Sequence, residues 1–310
     1  MNYIVRTAGL LLCLSLLVAC GGSSSGNDDF LSRAENSDRV GRDVIRCAVD
    51  ELDADAVAAV NEFFASMNQM RQIGAPFIAR ASASVNVPVV VHVIASGASE
   101  AEGNVSDEAI AEQMNVLNAS FAAVFGGSPS AFQFTLTEVT RTINPALSVL
   151  DFGTDVERTV KQSLRRGGAE TLNIYLANSA TGTLGYATFP WDYSSDPILD
   201  GVVVSYETVP GGSFAPYNEG DTLVHEVGHW FGLFHSFQGG CSIVGDDIPD
   251  TPAESQPAFG CPVGRNSCSG DASIDPINNY MDYSDDFCLF EFSPGQTERM
   301  DIFSAVFRGL

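Results

Sequence analysis

Three of the four histidines in this 310-residue chain fall within eleven positions, in HEVGHWFGLFH, residues 225–235. His225 and His229 are four apart, a spacing that on a helix sets both imidazoles on one face, about 6 Å from each other. A single ion can take both. Imidazole suits zinc, and Glu226 stands beside the first ligand, where its carboxylate can take a proton from a water that zinc brings to a pKa of about 7. That is the HExxH arrangement of a metal-assisted hydrolase attacking a carbonyl.

His235 lies further along the chain. If the helix ran on, this residue would lie about 15 Å beyond His225 along the axis and off its face. Gly232 offers the way round: a glycine can take the left-handed conformation that ends a helix and turns the chain back, bringing His235 to the same ion as a third ligand. A surface histidine beside an ordinary helix cap is the bland account. It fits poorly in a chain with a single other histidine, His92, which lies inside an apolar run and reads as a satisfied core residue.

The elements that must hold this site are legible upstream. Residues 50–72 carry apolar side chains at helical spacing, and residues 73–86, with Gly, Pro, Ser and candidate cleavage sites beside Arg71 and Arg80, read as a linker. Residues 87–96, VPVVVHVIAS, are nearly all apolar and β-branched, as a buried central strand requires. Ser106 caps a predicted helix with Ile110, Met114, Leu117 and Phe121 on one face. FQFTLTEVTRTI alternates as a strand, DVERTVKQSLRRG is a helix ended by Gly167, and TLNIYLAN and DGVVVSYETV are further strands. This order predicts an α/β (α+β) arrangement, with helices packed on a mixed sheet. After His235 the composition turns to loop chemistry until SPGQTERMDIFSAVF, a closing helix capped at Ser293.

Composition narrows the partners. A formal charge of -24, from 39 acidic and 15 basic residues, repels phosphate backbones and anionic membrane surfaces, so nucleic acid is not an expected partner. Residues 1–19 read as an export signal, and Leu17-Val18-Ala19-Cys20 resembles a bacterial lipobox, which would make Cys20 the lipidated first residue ahead of a Gly/Ser tether. An ordinary signal peptide containing a cysteine is the alternative. In either case the compartment permits disulfides. Membrane contact is expected only through that N-terminal lipid anchor, on an outer membrane or cell surface. Of the seven cysteines, Cys47, Cys241, Cys261, Cys268 and Cys288 remain after Cys13 and Cys20 are set aside.

His225, Glu226, His229, Gly232 and His235 match the metzincin pattern HExxHxxGxxH residue by residue, and NNYMDYSDD places Met281 and Tyr283 where a Met-turn would be. With HSFQGGC, GDDIPDTP, DDFC and FSPGQTERM, the chain resembles the pappalysin family of metzincins, which includes ulilysin-type and fungal secreted metalloproteases. The resemblance runs from residue 87 to residue 310 and is dense from 221 onward. It implies a zincin fold: a twisted mixed sheet and zinc helix in an upper subdomain, and a loop-rich lower subdomain stapled by disulfides. It also implies a domain plan of signal 1–19, tether and prosegment 20–85, and catalytic domain 86–310. Met281 would be a floor beneath the metal, and Tyr283 would help hold the oxyanion. Cys241 would pair with Cys268 and Cys261 with Cys288; spacing alone leaves three pairings open. Asp246, Asp247, Asp250 and Thr251 offer the hard oxygens of a structural calcium site, where the bland reading is an acidic turn. Cys47 gains a role as a thiolate closing the fourth zinc position in a latent form, against an inert buried thiol or an intermolecular disulfide.

The activity so implied is zinc-dependent hydrolysis of protein or peptide bonds, the substrate lying extended and antiparallel to an edge strand expected at residues 184–190. A basic preference just after the cut needs an acid in the pocket wall. Asp285 and Asp286 are near, but Phe287 stands immediately before Cys288, which puts that preference in doubt. The competing reading is an inactive zinc- and calcium-binding surface lipoprotein that serves as a binding module.

Overall fold

The computed structural model describes residues 45–49, 52–73, 84–242, 245–270 and 273–310. The export signal, Cys20, its tether and Arg80 lie outside the described residues.

Five strands form a mixed sheet in the order β2-β1-β3-β5-β4, with β1 Val85–Ala95, β2 Phe132–Ile143, β3 Leu172–Ala177, β4 Gly185–Ala187 and β5 Val202–Ser205. The first four in that order run parallel, and β4 pairs antiparallel with β5 at the edge. Strand β1, which the apolar run predicted as central, is flanked by β2 and β3 and is buried from Val89 onward. A parallel strand covered on both faces reads as a continuous apolar run for that reason.

Alternate residues divide the core between two faces. Val89, Val91, Leu172, Ile174, Val202 and Val204 pack with Ile110, Leu117 and Phe121 of α2 (Asp107–Phe121) and with Leu223, Val227 and Trp230 of α4 (Asp221–Trp230). Ile94, Tyr175 and Val203 point the other way, onto Val160 of α3 (Asp155–Leu164). Caps stand where the sequence put them: Ser106 accepts from the N–H of Ala109, and Ser293 forms a capping box with Gln296 on α5 (Pro294–Phe303). Helix α3 ends earlier than expected, at Leu164. Gly167 does take φ +72°, but it does so in the loop that follows.

Beyond Gly232 the described residues up to 293 hold no α-helix and no strand longer than an isolated bridge. Two disulfides brace this lower part, Cys241–Cys268 and Cys261–Cys288, the pairing the resemblance implied. Ahead of the sheet, helix α1 (Ala54–Gln72), capped by Asp53, packs against α5. His92 donates and accepts within the sheet, bonded to Thr140 and Asn173 and stacked on Tyr175 at 4.7 Å, far in role from any metal.

Candidate active site

Helix α4 carries His225, Glu226 and His229 and stops one residue later, at Trp230. Gly232 sits at φ +95°, and a Cβ there would come within 2.3 Å of a Phe303 ring carbon, so both conformation and space call for glycine. The Arg299 guanidinium donates to the Gly232 carbonyl at 2.9 Å and pins the turn. The chain then folds back and His235 arrives at the helix.

His225 Nδ1 lies 2.6 Å from the Tyr280 carbonyl, and His229 Nδ1 lies 2.7 Å from that of Leu233. A carbonyl oxygen only accepts, so both Nδ1 atoms hold the proton and both Nε2 atoms present lone pairs. Yet His229 Nε2 is 3.1 Å from His225 Nε2 and 3.1 Å from His235 Nε2. The His225 and His229 lone pairs face each other at that distance, an arrangement that a shared cation would relieve. Burial pushes the His229 pKa down to about 4 and those of His225 and His235 well below the usual imidazole value, which keeps all three neutral and able to ligate. This donor set fits zinc.

Glu226 is fully buried, and burial pushes its carboxyl up to about 8. Its Oε1 makes no hydrogen bond, which leaves an acceptor available beside the imidazoles. Two glycines make room. A Cβ on Gly185 of edge strand β4 would press to 2.8 Å from Glu226, and one on Gly228 would meet the Met281 sulfur at 2.5 Å. Met281 thus lies directly under the helix as a floor. Tyr283 Oη stands 3.1 Å from His235 Nε2, on the rim of the same centre.

Cys47 is the fourth member of the cluster. Ligand atoms of Cys47, His225, His229 and His235 all lie within 4.8 Å of one another, and the thiol donates to Glu226 Oε2 at 3.5 Å. The segment that delivers it lies along the edge strand: Leu184 N–H donates to the Ile45 carbonyl, Ala48 N–H donates to the Gly185 carbonyl, and the Ile45–Thr183 bridge is parallel. Sequence reasoning missed the neighbouring Arg46. Its guanidinium is buried, 3.7 Å from Asp286 Oδ1, donating to Thr222 Oγ1 and the Ser284 carbonyl, with Tyr217 4.1 Å beneath it. Burial raises the pKa of both Asp286 and Asp221, the latter further raised by Asp286, and Arg46 opposes the rise in each. Phe287, by contrast, is 63% exposed. The acid that Arg46 pairs with is Asp286, one residue before Phe287. Adjacency of Arg46 to a candidate ligand was the signal available.

The acidic loop lies apart from this centre. Asp246 is buried, and its carboxyl rises to about 7 through burial, opposed by the Ile248 N–H, Arg299 and Thr251. Neither Asp246 Oδ2 nor Thr251 Oγ1 has a hydrogen-bond partner of good geometry. Asp247 takes φ +60°. Asp250 is committed elsewhere, accepting from Ser293 Oγ and the Gly295 N–H at the start of α5.

Comparison with known proteins agrees with this geometry. The Peptidase_M43 family model, described as pregnancy-associated plasma protein-A, matches residues 168–305. An extracellular metalloprotease of Colletotrichum graminicola is 45% identical over 231 residues, 74% of this chain and 79% of the relative. Another, of Pyricularia oryzae, is 43% identical over 270 residues, 85% and 89% of the two chains. Among solved structures, a promirolysin variant of Tannerella forsythia is 27% identical with a TM-score of 0.68, covering 85% of this chain and 95% of that one. Mature mirolysin in complex with a cleaved peptide is 30% identical, with a TM-score of 0.64, 73% of this chain and 97% of that one.

Proposed function

The chain belongs to the Peptidase_M43, or pappalysin, family of metalloproteases, and on that premise we propose that it is a zinc-dependent endopeptidase made in a latent form, with Cys47 and Arg46 holding its own cleft closed. The convergence of three neutral Nε2 atoms beside a buried carboxylate whose Oε1 makes no hydrogen bond carries this reading. Zinc, when bound by His225, His229 and His235, supplies the Lewis acidity that polarises a scissile carbonyl and acidifies a water. Glu226 accepts the proton of the attacking water and passes it to the leaving amine, a role suited to a carboxyl lifted toward neutral pH. The Tyr283 hydroxyl donates to the oxyanion as it develops.

Direction along β4 explains why the closing segment is not itself cut. A substrate adds antiparallel to the edge strand, whereas residues 45–48 run parallel to it and so lie backwards in the cleft. With zinc bound, Cys47 Sγ would take the open ligand position as a thiolate, its proton passing to Glu226 Oε2, the oxygen to which the thiol donates. In a reversed segment the residue before the cysteine lies where a substrate residue just after the cut would lie. The pocket holding Arg46 is therefore the one that reads this substrate position, and Asp286 with Asp221 equips it for a basic side chain.

The extracellular relatives support export; residues 1–19 serve as the signal and Cys20 as a lipid anchor in this reading. Asp246 and Thr251, with Asp247 beside them, are offered as a structural calcium site, on the buried oxygens that find no good partner. A catalytically inert binding module would not need Glu226, Tyr283 and all three ligands together. Replacement of Glu226 by Gln tests the assignment: the variant should keep zinc by metal analysis and lose peptidase activity by about a thousandfold or more. Full activity in that variant would overturn the mechanism.

A further inference from the structure

Helix α1 does more than lead from Cys47 to the linker. Val57, Val60, Phe64 and Met67 repeat at helical spacing, and with Phe63 and Met70 they form an apolar stripe. The floor beneath them is a continuous aromatic gutter of Phe189, Trp191, Phe234, Phe303, Val306 and Phe307. Phe64 meets the Phe303 ring edge-on at 5.7 Å, and Phe63 lies 5.4 Å from Phe307. Trp191 joins the two ends, 4.6 Å from Phe189 and 5.9 Å from Phe303, while Phe189 in turn stands edge-on to His229 at 5.6 Å. The gutter therefore begins at the metal centre and runs out to the C-terminal helix. Polar pins flank it, with Arg71 paired to Asp301 at 2.9 Å and Arg299 donating to Asn61.

Every residue of this floor lies in the catalytic part of the chain, so it stays behind when the segment up to residue 85 is cut away. A contiguous apolar patch of this kind beside a cleft marks an interaction surface. Its place along the substrate follows from the reversed direction of residues 45–48: what lies beyond Cys47 in the closing segment lies where a substrate presents residues before the cut. We infer that the aromatic gutter is an exosite for the substrate, which takes an apolar, helix-forming segment upstream of the scissile bond, with α1 as its built-in mimic. This inference rests on the peptidase reading above and on removal of the closing segment.

The full chain, activated by processing, would be given two fluorogenic substrates with the same scissile core. One ends at the core, and the other carries on its N-terminal side an amphipathic helix with apolar residues at the spacing of α1. The extended substrate should show a kcat/KM about tenfold or more above that of the short one, and Trp191→Ser with Phe307→Ser should bring the ratio near unity. A general folding defect would move both rates and leave the ratio alone. A ratio near unity in the unaltered enzyme, or one untouched by the double substitution, would overturn the exosite. Binding supplies a second, activity-independent measurement. A synthetic peptide of residues 53–73, which lacks Cys47, should quench or shift Trp191 fluorescence saturably on the processed protein, and Phe307→Asp should abolish that binding. Absence of saturable binding up to millimolar peptide would count equally against the gutter. Failure to cut either substrate would sink the peptidase reading, with the peptide titration still judging the exosite by itself.

Discussion

Replacing Arg46 by Met keeps the apolar stem of the side chain and removes its charge from a pocket that holds two buried carboxylates. Arg46 is 3% exposed and Asp286 1%, so little water screens the 3.7 Å pair. At an effective dielectric of about 20 such a pair is attracted by about 4 to 5 kcal/mol, and removing one partner of a buried pair costs about 3 to 5 kcal/mol. The stacking on Tyr217 adds about 1 kcal/mol. Part of this is recovered when the segment lifts off, because water then rehydrates Asp286 and Asp221. A net loss of about 3 kcal/mol converts to about a hundredfold more open chain. The assay is the initial rate on a short fluorogenic peptide at pH 8, with mass spectrometry confirming that the chain is still uncut and Cys47→Ala as the fully unlatched reference. The effect should shrink as pH falls. Both carboxyls titrate above the usual aspartate value, so acid neutralises them and removes the need for a cation. An Arg46→Met chain as silent as the unaltered one at pH 8 would refute the claim that this ion pair holds the latch.

Gly232→Ala should destabilise the protein by about 2 to 5 kcal/mol in urea unfolding and lower its zinc content, because the left-handed backbone and the Phe303 ring both oppose a Cβ. Gly211→Ala, at φ +78° but with nothing within 4 Å, isolates the backbone contribution and should cost only about 1 to 2 kcal/mol; equal losses at the two positions would show that the ring contact is irrelevant. For Asp246 the sign follows from a folded pKa of about 7 above an ordinary value of 3.8: the carboxyl contributes stability below pH 4 that is lost as pH rises through 7. In calcium-free buffer the melting temperature of the unaltered protein should therefore fall relative to Asp246→Asn between pH 5 and 8, and calcium should restore it at pH 8 in the unaltered protein only. Parallel melting curves across that range would show that Asp246 carries neither the shift nor the ion.

How much of this was legible beforehand depended on whether the physics was local. The apolar run of β1, the alternation of β2 and the Ser106 and Ser293 caps are set by neighbours along the chain, and they appeared where the pattern placed them. The helix boundary at Leu164 was missed because Arg165 leaves helical conformation and bonds the loop carbonyls of Gly167 and Gly168, a contact that no periodicity records. In the sequence Cys47 has only the latent-form role that the family resemblance implies, and Asp286 is only a nearby acid with no cation to pair with. Both belong to contacts across 179 and 240 residues respectively, as the Cys47–Glu226 hydrogen bond and the Arg46–Asp286 pair show.

By itself the sequence determined the ligand set, since His225 and His229 share a helix face by helical geometry and Gly232 permits the turn to His235 by its missing Cβ. It determined equally that β1 runs apolar on both faces, as a strand covered on both sides must. Only the tertiary structure decided that Arg46 lies against Asp286, that residues 45–48 enter the cleft parallel to β4, and that α1 seats on an aromatic gutter. The physical reason is that burial and charge pairing depend on which distant segments meet. A carboxylate such as Asp286 acquires its meaning from the cation that packing brings to it, and residue order along the chain does not specify that encounter.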